Sequence, residues 1–220
     1  MRAADLITHS VPVLKKTDTG SFALHTMADH HLSQLPIVQS EKLLGLVREE
    51  DILNHHNNDA KLQEMKLKLL KPFIHDYEHI FEVLKVSSEL KLKVIPVVDK
   101  DENYMGSITL EDLMNYFARE TDILEPGAIV VLEIAVGDYS LADIARIIEQ
   151  ESAKILCVFA GTDKEKTKIE LTLKLNVSDI QGIIQSLQRH SYVIKDSYQE
   201  PEYFEDLKDR YDSLMDYLDV

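Results

Sequence analysis

The stretch Gly45–Asn54, GLVREEDILN, has a near-double at Gly106–Asn115, GSITLEDLMN. Each copy opens on glycine and runs through small or apolar residues to a variable position, Arg48 or Thr109. Each then reaches an acidic pair, Glu50-Asp51 or Glu111-Asp112. The likeness extends backwards at an offset of 60 residues. Pro12-Val13-Leu14 falls on Pro72-Phe73-Ile74, Leu24 on Leu84, Leu32 on Leu92, and Leu35-Pro36-Ile37-Val38 on Ile95-Pro96-Val97-Val98. From Gly45 onward the offset is 61, so one residue is gained between the turns QSEKL and DKDENY, where surface loops tolerate insertion. A period of this length marks a repeated structural unit.

Both copies predict the order β-α-β-β-α. A short strand (Val11–Leu14; Phe73–Ile74) precedes a helix whose apolar spacing is Phe22, Leu24, Met27 in one copy and Ile80, Phe81, Leu84 in the other. An apolar strand follows (Leu35–Val38; Val94–Val98), then a turn, a second strand (Leu43–Val47; Tyr104–Ile108) and a helix that begins at the acidic motif. A lone unit of about 60 residues buries little apolar surface, and two copies packed together bury more.

The repeated anchors, LPIV and IPVVD followed by GLVREED and GSITLED, resemble tandem CBS domains, the paired arrangement called a Bateman module. The resemblance covers residues 1 to about 120 and implies a regulatory module that binds an adenosine-containing nucleotide.

The chemistry of the motif admits two readings. Thr109-x-x-Asp112 is a capping box, in which hydroxyl and carboxylate each satisfy a helix-start amide. The same geometry suits a ligand: free N–H groups at a helix start attract anions, and a carboxylate one turn in can accept from two ribose hydroxyls. By resemblance, Thr109 faces phosphate, Asp112 faces ribose, and Val94, Ile95 and Pro96 flank the base. In the first copy Arg48 has no acceptor and cannot cap, yet Asp51 is still present. Arg48 is either a bidentate phosphate ligand or simply solvated. Gln34 and Lys93, directly before Leu35 and Val94, either meet a ligand or are exposed strand-start residues. Thr8 and Val11 lie where the family's first strand contacts the base.

Nine histidines raise the question of a metal. Neighbours such as His30-His31 and His55-His56 point about 100° apart on a helix and do not chelate one ion. His75 and His79 straddle a strand-to-helix transition, with Asp76 placed as the helix cap. No third ligand is spaced with any pair, so polar surface histidines are expected and no metal.

After Pro126-Gly127 the pattern changes. AIVVLEIAV, a helix with Leu141, Ile144, Ile147 and Ile148 on one face, KILCVFA, an alternating strand through Ile169, Leu171, Leu173 and Leu175, a helix with Val177, Ile180, Ile183, Ile184 and Leu187, and SYVIKDSY give β-α-β-β-α-β, a ferredoxin-like order. This part resembles an ACT domain, a regulatory fold that often binds amino acids and pairs sheets between chains. The family's proline-glycine turn here reads Gly137-Asp138-Tyr139-Ser140, and Asp138 repels a carboxylate; a dimerisation or relay role is expected instead of amino-acid binding. The tail behind Pro201 predicts an acidic helix with an apolar stripe at Tyr203, Leu207, Tyr211, Leu214 and Leu218.

The expected fold is therefore α+β. Residues 1–60 form CBS unit 1, 61–123 CBS unit 2, 124–200 an ACT-like ferredoxin-fold domain, and 201–220 an amphipathic C-terminal helix. The whole order resembles the acetoin-utilisation-type CBS/ACT proteins of bacteria. Net charge is −15, with 39 acidic against 24 basic side chains, which disfavours nucleic acid and anionic membranes. No run approaches a membrane span. MRAADLITHS lacks a signal peptide's apolar core, and the single Cys157 sits in an apolar strand as a buried thiol. A cytoplasmic protein is expected.

No nucleophile, metal or phosphate-loop motif stands in the sequence, so no enzyme is expected. The reading is a homodimeric sensor with no required cofactor, taking AMP, ADP, ATP or S-adenosylmethionine as regulatory ligand and acting on a protein partner that the sequence does not name. The alternative is an interaction scaffold with degenerate sites.

Overall fold

The structure, a computed structural model, describes residues 1–199. The predicted C-terminal helix lies outside the described residues. The chain divides into two compact units, Met1–Phe117 and a second beginning at Ala118.

In the first unit, α1 (Gly20–Asp29) leads to the antiparallel pair β1 (Gln34–Gln39) and β2 (Lys42–Arg48), then to the short α2 (Glu49–Leu53). The second copy repeats this as α3 (Ile80–Leu90), β4 (Val94–Val98), β5 (Tyr104–Thr109) and α4 (Leu110–Glu120), preceded by β3 (Ile74–His75). β3 runs parallel to β4, pairing Ile74 with Val97. The first copy reduces that strand to one parallel bridge, Leu14 to Ile37; the predicted strand over Val11–Leu14 is thus a single contact. Both hairpins carry a bulge at the same place, between Ile37 and Val38 and between Val97 and Val98, and the repeated glycine stands opposite Ile37 or Val97.

The copies exchange segments. Thr8, ahead of the first copy, bridges Ser107 on β5, and Leu70, ahead of the second, bridges Leu46 on β2. Gly45 and Gly106 let this happen. Both sit at φ 151°; a Cβ on Gly45 would lie 2.6 Å from the Leu70 carbonyl oxygen, and one on Gly106 would lie 2.4 Å from an Ile7 methyl. The glycine that opens each copy is there because the other copy's leading segment crosses over it.

The cores interleave as well. Val94 of the second copy packs with Leu14, Leu35 and Val47, while Leu46 of the first packs with Ile95, Val97 and Ile108. Two helical assignments change. Phe22 and Phe81, read as core, are 53% and 62% exposed; the buried faces are Ala23 and Met27 on α1 and Ile80 and Val83 on α3. A strongly apolar side chain in the first turn imitates the periodic face that these smaller neighbours make. His79, not Asp76, caps α3, its ring nitrogen accepting the Phe81 N–H.

The second unit is a four-stranded antiparallel sheet in the order β7-β8-β6-β9, where β6 is Ile129–Ala135, β7 Ile155–Thr162, β8 Lys168–Leu175 and β9 Val193–Tyr198. α5 (Leu141–Gln150) and α6 (Gln181–Arg189) complete the β-α-β-β-α-β order. Val130, Leu132, Leu171, Leu173 and Leu175 point into one core with Ile144, Ile148, Ile183 and Leu187. Leu141, expected on the buried face of α5, is 38% exposed. Ser140 caps α5 by accepting the Asp143 N–H. Cys157 is half-buried rather than buried, because it stands opposite Lys174 on the face of β7 turned away from the core. Burial still pushes its thiol up, which keeps it protonated and weakly nucleophilic.

Candidate functional site

The interleaved copies create two related clefts. Each joins the end of one copy's first helix to the β-to-α turn of the other. In the first, His30, His31 and Leu32 after α1 face Lys93, just before β4, and Thr109 and Asp112 at the start of α4, with Ser10 and Val11 alongside; its volume is about 510 Å³. In the second, Leu90 at the end of α3 and Lys91 and Leu92 after it face Gln34 at the start of β1 and Arg48, Glu49 and Glu50 at the start of α2, with Leu70 alongside; its volume is about 420 Å³. Both fall in the range that small-molecule sites occupy.

Local structure fixes the polar groups of the first cleft. Thr109 pairs with Val94 at the end of the hairpin, and the Leu110 N–H donates to the Lys93 carbonyl, so α4 starts at the cleft wall. The capping box is complete. The Thr109 hydroxyl accepts the Asp112 N–H at 3.0 Å, and Asp112 Oδ2 accepts the Thr109 N–H at 3.2 Å and the Thr109 hydroxyl at 2.6 Å. Asp112 Oδ1 takes no hydrogen bond among the described residues. One carboxylate oxygen thus holds the helix start while the other is left for solvent or ligand. Three side chains that can carry positive charge, His30, His31 and Lys93, stand on the same cleft.

The second cleft is built differently. Arg48 neither projects alone into solvent nor stands free for an anion. Its Nη1 lies 2.7 Å from Glu50 Oε1, its Nε 3.1 Å from Asp51 Oδ2 and its Nη2 3.4 Å from Asp51 Oδ1. Both oxygens of Asp51 are therefore engaged, and Asp51 does not line the cleft. Gln34 is buried, and its side-chain oxygen accepts the Lys93 N–H at 3.1 Å, tying the start of β1 to the start of β4. Lys93 itself is exposed on the first cleft.

Of the residues predicted from sequence, the structure brings together Thr109, Asp112, Val11 and Lys93 in one cleft and Arg48 and Gln34 in the other. Leu35, Val94, Ile95 and Pro96 are buried; the first three belong to the cores, and none of the four lines either cleft. Sequence reasoning missed His30 and His31 as cleft residues. No local signal marks them, because the residues they face belong to the other copy of the repeat. The paired histidines elsewhere have local roles: the His75 ring stacks on Tyr77 and its Nδ1 lies 3.2 Å from the Asp99 carbonyl oxygen. Among the described residues no group of three His, Cys, Asp or Glu is placed to hold a metal ion, and no helix is long and apolar enough to cross a membrane.

The second unit carries a larger hollow of about 750 Å³ on its outer sheet face, beside Phe159 and Thr172. Its two lysines are each paired, Lys168 with Glu133 and Lys195 with Glu170, and Asp163 accepts from Thr167 and from the Lys168 N–H.

Comparison with known proteins agrees with the doubled architecture. Residues 3–57 and 71–119 match the CBS domain family. Inosine-5'-monophosphate dehydrogenase from Methanocaldococcus jannaschii is 25% identical over 114 residues, 51% of this chain but only 23% of the dehydrogenase's length. A crystal structure of a proposed acetoin utilization protein from Vibrio cholerae superimposes with a TM-score of 0.50 at 23% identity, over 56% of this chain and 95% of that one. The protein CBSX2, solved in complex with AMP, superimposes with a TM-score of 0.48 at 18% identity, over 54% of this chain and 96% of that one. Likeness at these identities speaks to fold. Residues 3–57 and 71–119 of this chain are a tandem pair of CBS domains.

Proposed function

We propose that the CBS pair binds an adenosine-containing nucleotide in the cleft closed by Thr109 and Asp112, and that the protein is a non-catalytic sensor whose second, ACT-like unit serves dimerisation or relay. AMP, ADP, ATP and S-adenosylmethionine are the ligands to try. One observation carries the reading: a carboxylate with one oxygen uncommitted stands beside a hydroxyl and a helix start, on a cleft that His30, His31 and Lys93 also line. Asp112 Oδ1 offers the acceptor that ribose hydroxyls need. Lys93 supplies charge and the imidazoles supply hydrogen-bonding nitrogens for phosphate.

A scaffold reading has its own support. Thr109 and Asp112 already satisfy each other, and Leu35, Val94 and Ile95 are spent on the cores. Titration calorimetry with AMP, ATP and S-adenosylmethionine separates the two. The sensor reading expects saturable heat with at least one of them, lost in Asp112→Ala while the circular dichroism spectrum is kept. No heat with any of the three favours the scaffold.

A further inference from the structure

The two clefts are built from matching segments of the two copies, yet their aspartates are in different states. Asp112 gives one oxygen to its cap and keeps Oδ1 unengaged on the cleft. Asp51, its counterpart, has both oxygens within 3.4 Å of the Arg48 guanidinium and is drawn off the cleft wall. Arg48 is further fixed by Glu50 at 2.7 Å. Three guanidinium nitrogens are thus spent on Asp51 and Glu50, and each Asp51 oxygen already accepts from one of them. The cation-capable residues also differ: the Asp112 cleft has His30, His31 and Lys93, whereas the other has Lys91 beside the neutralised Arg48.

Resting on the nucleotide-binding reading above, we infer that the two clefts are unequal: nucleotide enters the Thr109–Asp112 cleft alone, and Arg48 is the residue that keeps its twin empty by occupying Asp51. The position sets how many ligands one chain takes. The substitution Arg48→Thr would give this copy the capping box of the other, a hydroxyl facing the Asp51 carboxylate in place of the ion pair, and would free one oxygen of Asp51. Because threonine is a good helix N-cap, the substitution favours rather than opposes the start of α2. α2 is short (Glu49–Leu53), so the freed cleft would bind more weakly than the first.

Equilibrium dialysis of the full chain against labelled AMP tests this with four proteins: parent, Asp51→Ala, Arg48→Thr and the double variant Arg48→Thr/Asp112→Ala. The expected stoichiometries are one, one, two and one AMP per chain, the second site in Arg48→Thr being the weaker. Two AMP bound to the parent, or loss of binding in Asp51→Ala, overturns the inference and leaves nucleotide binding standing. Arg48→Thr remaining at one shows that Arg48 is not the determinant and likewise overturns it. No AMP on any of the four, with no ATP or S-adenosylmethionine bound by the parent either, removes the underlying reading itself.

Discussion

Gly45 and Gly106 share a backbone angle but not the same neighbours. At Gly45 an added Cβ meets the carbonyl oxygen of Leu70 at 2.6 Å and the Leu69 Cβ at 2.9 Å; at Gly106 it meets first an Ile7 methyl, with the Thr8 carbonyl oxygen at 3.2 Å. Backbone cannot step aside as a side-chain methyl can. Gly45→Ala is therefore expected to cost roughly 2–4 kcal/mol from strain and overpacking together, and Gly106→Ala less, as urea unfolding of the two variants will show. The pair was legible in the sequence as a repeated letter, but its cause was not: only the fold reveals that Thr8 and Leu70, in segments with little pattern, cross there. Arg48 is a different case. Its spacing to Asp51 was in plain view, since residues three apart at a helix start can meet, and that ion pair could have been read from it. His30 and His31 could not, because what they face belongs to the other copy of the repeat, far along the chain.

At the scale of elements, the β4–β5 turn depends on one carboxylate. Asp99 accepts the backbone and side-chain N–H groups of Asn103 and the N–H of Asp101, each at 2.8 Å. The Asn103 donors hold its carboxyl below the usual range. A carboxylate whose folded pKa is depressed adds stability above the unfolded value, near 3.9, and loses it as pH falls through the folded one. Asp99→Asn is thus expected to weaken the protein at pH 7 and to flatten the acid limb of its stability curve below about pH 4, measured by urea unfolding at pH 7 and pH 3. The strands were legible here because alternation and turn residues agree. The helices were legible in extent but less so in facing: Phe22, Phe81 and Leu141 sit in first turns, where an apolar side chain can lie beyond the edge of the sheet that the rest of the helix covers.

For the whole molecule, two compact units imply two melting bodies. If nucleotide binds only the CBS pair, AMP at 100 times its Kd adds about 2.7 kcal/mol to that unit. Differential scanning calorimetry of the full chain is then expected to show one transition moving up by on the order of 10 °C and another unmoved; a common shift of all heat absorption would mean that the units unfold together. The order of the second unit, β-α-β-β-α-β, was fully legible because each element has its own period and is bounded by polar turns. The mutual exchange of leading segments in the first unit was not, and it has a bearing on how the protein is made. A ribosome delivers Thr8 long before Ser107, and Leu46 waits for Leu70. The emerging first copy cannot close its own edge with its own residues. Roughly the first half of the chain must leave the exit tunnel before both hairpins have their neighbours, so the earliest part of the polypeptide is the last to be secured, and biogenesis of this half is completed in one late event.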